Sequence, residues 1–143
     1  MHEISIAESV IALVRQHLPA HQRLIRATVR IGPMHGVEAQ AMEMAWNVAS
    51  AGVGWSTSQL KVVTPPWRFR CVSCGRCWEP ATVDEHCVCG GTQVDIMGGD
   101  EFQLESIEVD CDTGQHQRKA AVHVRGSKPF KTGVAREHQS TDC

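Results

Sequence analysis

The sequence lacks the features of several large protein classes. No apolar run approaches the roughly 20 residues that a membrane-spanning helix needs. The N-terminus is unlike a secretory signal, because Glu3 and Glu8 interrupt its apolar residues and no charged segment precedes them. The sequence contains no recognisable phosphate-binding loop, Ser/His/Asp set or pair of carboxylates that would indicate catalysis. The 143 residues therefore predict a cytoplasmic chain of one domain or two small ones, which is not an enzyme and contacts no membrane.

The first half of the chain has the spacing of two amphipathic helices. Apolar residues of the first helix recur at intervals of three and four up to Pro19: Ile4, Ala7, Ile11, Val14 and Leu18. The stretch VEAQAMEMAWNVASAG repeats this spacing and predicts a second helix with Gly52 as its C-cap. The first helix begins poorly, since Met1, His2 and Glu3 include no preferred capping residue and put an amine at the positive end of the helix dipole.

Three stretches have the alternation of β-strands. RLIRATVRIG puts its aliphatic residues from Ile25 onward on one face and its arginines on the other. SQLKVV is a second strand, stopped by two prolines. EFQLESIEVD changes phase between Leu104 and Ile107, so we predict a third strand with a β-bulge near Ser106.

These elements, together with the two close cysteine pairs between Cys71 and Cys89, predict an α+β fold in which two helices pack on a three-stranded sheet, with an inserted small zinc-ribbon domain. The helical domain comprises residues 1–64 plus 100–112, and the insert comprises residues 65–99. Residues 113–143 have little apolar content and predict a flexible C-terminal tail, in which AAVHV is at most a stray strand.

Two close cysteine pairs lie in the insert, Cys71-x2-Cys74 and Cys87-x-Cys89, with twelve residues between them. This spacing is typical of a tetrahedral zinc site, because a short separation lets both sulfurs of a pair converge on one ion. Inert buried thiols are disfavoured, since the five cysteines within nineteen residues lack an apolar shell. We predict a structural Zn(II) site, which stabilises a small fold by on the order of 10 kcal/mol.

The second pair leaves the fourth zinc ligand open, because its one-residue spacing is unusual. His86 stands three residues before Cys89, so a site of three cysteines and one histidine, with His86 in place of Cys87, is an alternative. The softness of the thiolate favours Cys87. Cys77 is interpreted as an additional thiol rather than an exchange ligand. A redox enzyme is disfavoured because no βαβ context surrounds the pairs.

The N-terminus is itself a compact chelator. The Met1 amine, the His2 amide nitrogen once deprotonated and an imidazole nitrogen can form fused rings around a square-planar Ni²⁺ or Cu²⁺ ion. Glu3 can orient the imidazole or donate an oxygen. Taken alone, this pattern is a weak indication of metal binding.

Several features together resemble the HypA/HybF family of hydrogenase nickel-insertion accessory proteins. They are the start MHE before a helix, the strand end Ile31-Gly32, the helix start Val37-Glu38, the paired cysteines and the closing GGDEFQLESIEVD. The resemblance covers residues 1 to about 110. It implies that Met1, His2 and nearby backbone nitrogens hold Ni(II) as cargo. Glu38 falls where relatives tend to place an acidic residue and is an auxiliary ligand candidate.

The resemblance also implies a function and partners. A protein of this family is a nickel metallochaperone, which receives nickel with a HypB-type GTPase and delivers it to the large subunit precursor of [NiFe] hydrogenase. The expected zinc is structural, and the expected oligomeric state is a monomer or a weak homodimer.

A nucleic-acid-binding zinc ribbon is the alternative function. Phosphate binding needs a basic footprint, but residues 59–112 carry four basic and ten acidic residues, a balance of −6. Residues 113–143 carry a balance of +4, which we interpret as the charge of a solvated tail. We therefore expect no nucleic-acid partner.

Overall fold

The computed structural model describes residues 2–111 and 118–124. In chain order its elements are α1 (His2–His17), β1 (Arg23–Ile31), α2 (Ala39–Ala51), β2 (Gln59–Val63), β3 (Phe69–Cys71), β4 (Cys77–Trp78), β5 (Val94–Ile96), β6 (Phe102–Cys111) and β7 (Arg118–His123). A short 3-10 helix, Pro33–His35, lies between β1 and α2.

The strands form two sheets. The main sheet has the order β2-β1-β6-β7, in which β2 is parallel to β1 and the other neighbours are antiparallel. The small sheet has the order β4-β3-β5, is antiparallel, and lies in the chain between β2 and β6. The parallel pair β1 and β2 is joined by a crossover through α2, as parallel strands require. The predicted α+β class, with two helices and a small cysteine-bearing insert, is confirmed.

One hydrophobic core lies between the helices and the main sheet. Trp46 and Met42 of α2 are almost fully buried in it, and the indole N–H of Trp46 donates to the carbonyl of Ser58 at 3.3 Å. The buried residues of α1 are Ile6, Ala7, Val10, Ile11 and Val14. Neither helix combines the length and the apolar character that crossing a bilayer requires, in the part of the chain that the structure describes.

The ladder between β1 and β6 contains two register shifts. Pairing passes from Ser106 to Leu104, so Glu105 is the extra residue of a β-bulge. This shift buries apolar residues from both phases of the strand, namely Phe102, Leu104, Ile107 and Val109. The predicted bulge near Ser106 is confirmed. The other register shift lies near the start of β1. Simple alternation predicted that Ile25 points inward, but this shift buries Leu24 instead.

The main sheet contains a fourth strand, β7, where the sequence predicted a flexible tail. β7 pairs with β6 from Ser106↔His123 to Cys111↔Arg118. Val122 packs half-buried against the core, and Val124 is only 7% exposed. The short alternation AAVHV forms a strand here because β6 supplies its hydrogen-bonding edge and the core supplies an apolar surface for its valines. The rest of the predicted tail, residues 112–117 and 125–143, lies outside the described residues.

The face of the main sheet turned away from the helices carries arginine–carboxylate pairs between β1 and β6. The pairs and their N–O distances are Arg23–Asp110 at 3.4 Å, Arg26–Glu108 at 3.3 Å and Arg30–Glu105 at 2.7 Å. These side chains are partly exposed, so each pair contributes at most about 1 kcal/mol to stability. The charges of the arginines on this face are therefore already paired with carboxylates.

The loop after β1 is held against the segment that leaves the small sheet. The N–H of Gly32 donates to the carbonyl of Glu101 at 2.7 Å, and the N–H of Met34 donates to the carbonyl of Gly99 at 2.8 Å. Gly99 has a φ of 95°, which favours glycine. The two backbones approach so closely that a Cβ on Gly32 would lie 2.1 Å from the carbonyl oxygen of Gly99. Glycine at position 32 is therefore required by this contact.

We expect Gly32→Ala to lower the free energy of unfolding by about 1–3 kcal/mol, because the added methyl group forces two hydrogen-bonded backbones apart. Gly52→Ala is the matched control. Gly52 has an ordinary φ of −62°, and the nearest atom to a Cβ there is the Ala49 carbonyl oxygen at 3.5 Å. Thermal unfolding of the metal-loaded proteins, followed by circular dichroism, measures the difference. Equal melting temperatures for the two variants would contradict the close contact.

Candidate metal centre

Four cysteines of the insert converge on one point. The Sγ atoms of Cys71, Cys74, Cys87 and Cys89 all lie within 4.8 Å of one another. The Cys71–Cys89 and Cys74–Cys87 sulfur pairs are each 3.6 Å apart. Sulfurs around a tetrahedral zinc ion, with Zn–S bonds of about 2.3 Å, are separated by about 3.8 Å. The cluster therefore has the size and the soft donor set of a single tetrahedral zinc site.

Two tight turns direct the sulfurs toward this point. β3 ends at Cys71, and the N–H of Gly75 then donates to the carbonyl of Cys71 at 2.9 Å. The second turn is one residue shorter, with the N–H of Gly90 donating to the carbonyl of Cys87 at 2.9 Å. Gly75 and Gly90 have φ values of 73° and 83°, a conformation that costs glycine little. Each turn brings its two cysteines close to the other pair.

Gly91 is a residue of the site that sequence reasoning did not single out. A Cβ on Gly91 would lie 3.0 Å from the sulfur of Cys71 and 2.9 Å from the hydroxyl of Ser73. The N–H of Gly91 donates to the sulfur of Cys89 at 3.4 Å. The sequence signal for Gly91 was the second glycine of CGG, because the turn after Cys87 needs only the first glycine, Gly90.

The cluster thiols differ in acidity. Hydrogen bonds from the backbone of Cys74, and then of Ser73, outweigh burial and lower the pKa of Cys71 to about 6. The backbone N–H of Gly91 lowers the pKa of Cys89, but the neighbouring sulfurs, Cys74 first, together with burial raise it to about 12. Four thiolates this close are stable together only around a cation. A metal ion must therefore displace the proton of Cys89 at neutral pH.

The structure brings Cys87, rather than His86, into the group. Within the described residues, the group of possible ligands close enough to share one ion consists of four cysteines. Cys87 is 6% exposed, whereas His86 lies exposed beside it. Cys77 lies outside the group, on β4, where its backbone is paired with Arg70 of β3. The arrangement favours the alternative in which all four ligands are cysteines.

The N-terminal candidates lie on a different part of the fold. His2 is exposed at the start of α1, Glu3 is half-buried beside it, and Met1 lies outside the described residues. Among the residues that the structure does describe, no group of three possible ligands includes His2, Glu3 or Glu38. The structure thus assembles the cysteine set fully, and it places His2 and Glu3 on α1 and Glu38 at the start of α2.

Glu38 has a structural role that the sequence did not reveal. It is the N-cap of α2, and its carboxylate accepts hydrogen bonds from the N–H groups of Ala41 at 2.6 Å and Gln40 at 3.1 Å. These two bonds, Ala41 first, hold the pKa of Glu38 below its usual value. Glutamate is not among the favoured N-cap residues, so the usual sequence signal for a cap was missing.

Comparisons with known proteins agree with this geometry. The profile of the family described as "Hydrogenase/urease nickel incorporation, metallochaperone, hypA" matches residues 1–109. The hydrogenase maturation factor HypA of Wolinella succinogenes is 32% identical over 116 residues, which cover 78% of this chain and 98% of that protein. The factor of the same name from Nitrosospira multiformis is 34% identical over 112 residues, covering 76% and 97% respectively.

A solved structure has the same fold. The solution structure of the Ni metallochaperone HypA from Helicobacter pylori matches with a TM-score of 0.51 and 26% identity, covering 75% of this chain and 96% of that one. The profile match extends over most of the chain and includes all four clustered cysteines. The chain belongs to the HypA family of hydrogenase and urease nickel-incorporation metallochaperones.

Proposed function

We propose that this protein binds Ni(II) at its N-terminus and delivers it to the large subunit precursor of a [NiFe] hydrogenase. The observation that carries the proposal is the family match over residues 1–109, which begins at the Met-His-Glu sequence. The related proteins are named hydrogenase maturation factors, which favours hydrogenase over urease as the recipient. The protein then acts in the cytoplasm, as a carrier rather than an enzyme, together with a HypB-type GTPase.

The proposed nickel ligands are the Met1 amine, the backbone nitrogen and imidazole of His2, and a carboxylate from Glu3 or Glu38. His2 is exposed at the first turn of α1, where backbone N–H groups lack helical partners, so its ring and amide nitrogen are accessible to an ion. Glu38 is ionised at neutral pH, as glutamate ordinarily is, and the α2 cap lowers its pKa further. Each of its oxygens already accepts one hydrogen bond, so nickel would use a second lone pair.

The proposed zinc ligands are Cys71, Cys74, Cys87 and Cys89. Bound zinc supplies the folding free energy that the small sheet lacks, since the buried apolar side chains of the insert in the described structure are only Phe69, Cys71 and Cys87. We take residues 65–99 to be this zinc domain. The nickel domain is formed by the helices and the main sheet.

The structure argues against nucleic-acid binding as the function. The arginines of the exposed face of the main sheet, Arg23, Arg26 and Arg30, are each matched by a carboxylate of β6. Arg70 of the small sheet is paired with Asp95 at 3.0 Å. Phosphate binding would have to break these pairs, so these four arginines are poorly suited to a basic footprint.

The proposal is tested by His2→Ala. We expect its nickel affinity to fall at least about 100-fold, because a ligand is lost, while zinc content and fold are unchanged. His17→Gln, at the other end of α1, is the control, since the side chain of His17 hydrogen-bonds the Leu13 carbonyl in its own helix. Isothermal titration with nickel and metal analysis for zinc separate the two sites. Equal loss of both metals in His2→Ala would refute two separate sites.

A further inference from the structure

β7 is an addition to the family fold. The family match ends at residue 109, inside β6, and β7 begins at Arg118. The alignments with the two HypA relatives compared above include 97–98% of each relative but only 76–78% of this chain. β7 therefore covers an edge of the main sheet with a segment that lies outside the family match.

The contact between β7 and β6 has the character of a specific strand-binding surface. Val122 lies opposite Ile107 on the core side, and Val124 is 7% exposed. The N–H of Val124 also donates to the carbonyl of Glu105 at 3.0 Å, which extends the ladder beyond the last paired residue. Apolar contacts on one face and backbone hydrogen bonds along the edge are the two components of β-strand addition.

The exposed side of β6 determines which strand fits. A second copy of β6 could pair antiparallel with the first along residues 106–111. If the apolar residues stay on the core side, the two longest possible registers place Glu108 opposite the Glu108 or the Asp110 of the other copy. Like charges directly opposite each other destabilise a sheet, and the exposed ion pairs of Glu108 and Asp110 with Arg26 and Arg23 offset this only in part, so a second copy of β6 is a poorer partner than β7. β7 places Ala121 opposite Glu108 and Lys119 opposite Asp110, which avoids this repulsion.

We propose that the β6 edge is a binding site for an extended basic strand with small apolar residues at alternate positions, and that this chain fills it with its own β7. The occupied edge is unavailable to strands from other proteins while β7 is docked. Release of β7 makes the edge a docking surface for a segment of the same chemistry. This proposal is independent of nickel binding.

A labelled peptide of residues 117–126 tests the proposal against the full, zinc-loaded chain. In Val122→Asp a carboxylate replaces a half-buried valine, so β7 should leave the edge. We expect this variant to bind the peptide at least about tenfold more tightly than the wild type, whose edge is filled. Fluorescence anisotropy measures binding. The peptide carrying the same Val122→Asp change should lose about tenfold in affinity.

His123→Asp is the matched control, because it adds the same carboxylate to the exposed side of β7, opposite Ser106. It should bind the peptide as weakly as the wild type. Circular dichroism checks that each variant is folded. Should Val122→Asp unfold, Ala120→Pro serves instead, since proline removes a backbone N–H opposite Val109. Equal peptide binding by the wild type and the released variant, or no binding by a folded released variant, would overturn the proposal.

Discussion

Replacing Cys87 by serine is expected to abolish zinc binding and unfold the small sheet, whereas His86→Ala leaves both unchanged. The sulfur of Cys87 lies 3.6 Å from that of Cys74 and is one of the four that converge. The serine hydroxyl is a poor zinc ligand because it is rarely deprotonated at neutral pH. His86 is exposed and outside the group of clustered ligands found among the described residues, so its removal costs no ligand.

The effect of Cys87→Ser should be large because few buried side chains stabilise the insert. Its buried apolar side chains are limited in the described structure to Phe69, Cys71 and Cys87, with Trp78 packed edge-on against Phe69 at 5.7 Å. Structural zinc contributes on the order of 10 kcal/mol or more, which exceeds the total stability of many small domains. The helices and the main sheet have their own core and should stay folded.

Metal analysis of the purified variants and heteronuclear NMR of the backbone amides measure this outcome. In Cys87→Ser the amide signals of residues 65–99 should collapse toward random-coil positions while those of the main sheet persist. The reverse pattern, with zinc retained in Cys87→Ser and lost in His86→Ala, would establish His86 as the fourth ligand beside three cysteines.

Adding two residues before Met1 is expected to abolish nickel binding without changing zinc content or fold. The extension converts the Met1 amine into an amide, so one proposed ligand is lost and the fused chelate rings are broken. α1 begins at His2, and its buried side chains begin at Ile6, so added residues should disturb no packing in the described structure. The loss should be as complete as in His2→Ala, because the amine and the imidazole hold the same ion.

The same two residues added after Cys143 provide the control. Titration calorimetry with nickel and metal analysis for zinc compare the two extended proteins with the wild type. Unchanged nickel affinity in the N-terminally extended protein would show that the amine is not a ligand. A nucleic-acid-binding function would be indifferent to the extension, so hydrogenase maturation assayed with the two proteins also separates the two functions.

The sequence predicted those features that depend on neighbouring residues. The phase change between Leu104 and Ile107 required an extra residue, and the structure has it at Glu105. The cysteine spacing predicted a shared ion because two short turns can each present two sulfurs on one side. The capping role of Glu38 was missed, since glutamate is a poor predictor of an N-cap and acts here through two backbone contacts.

By itself the sequence determined that two helices, three strands and a soft metal-binding set are present, because these follow from local periodicity and local spacing. The core-facing side of α2 was decided by packing, which buries Met42 and Trp46 and leaves Met44 and Val48 exposed. The tertiary structure decided what depends on segments distant in the chain. The fold places Cys87 rather than His86 in the cysteine cluster and brings the backbone of Gly32 against that of Gly99. It also provides the edge of β6 with which β7 pairs. A short strand such as AAVHV is too weak to form by itself, so only the prior existence of β6 and its apolar surroundings makes it a strand.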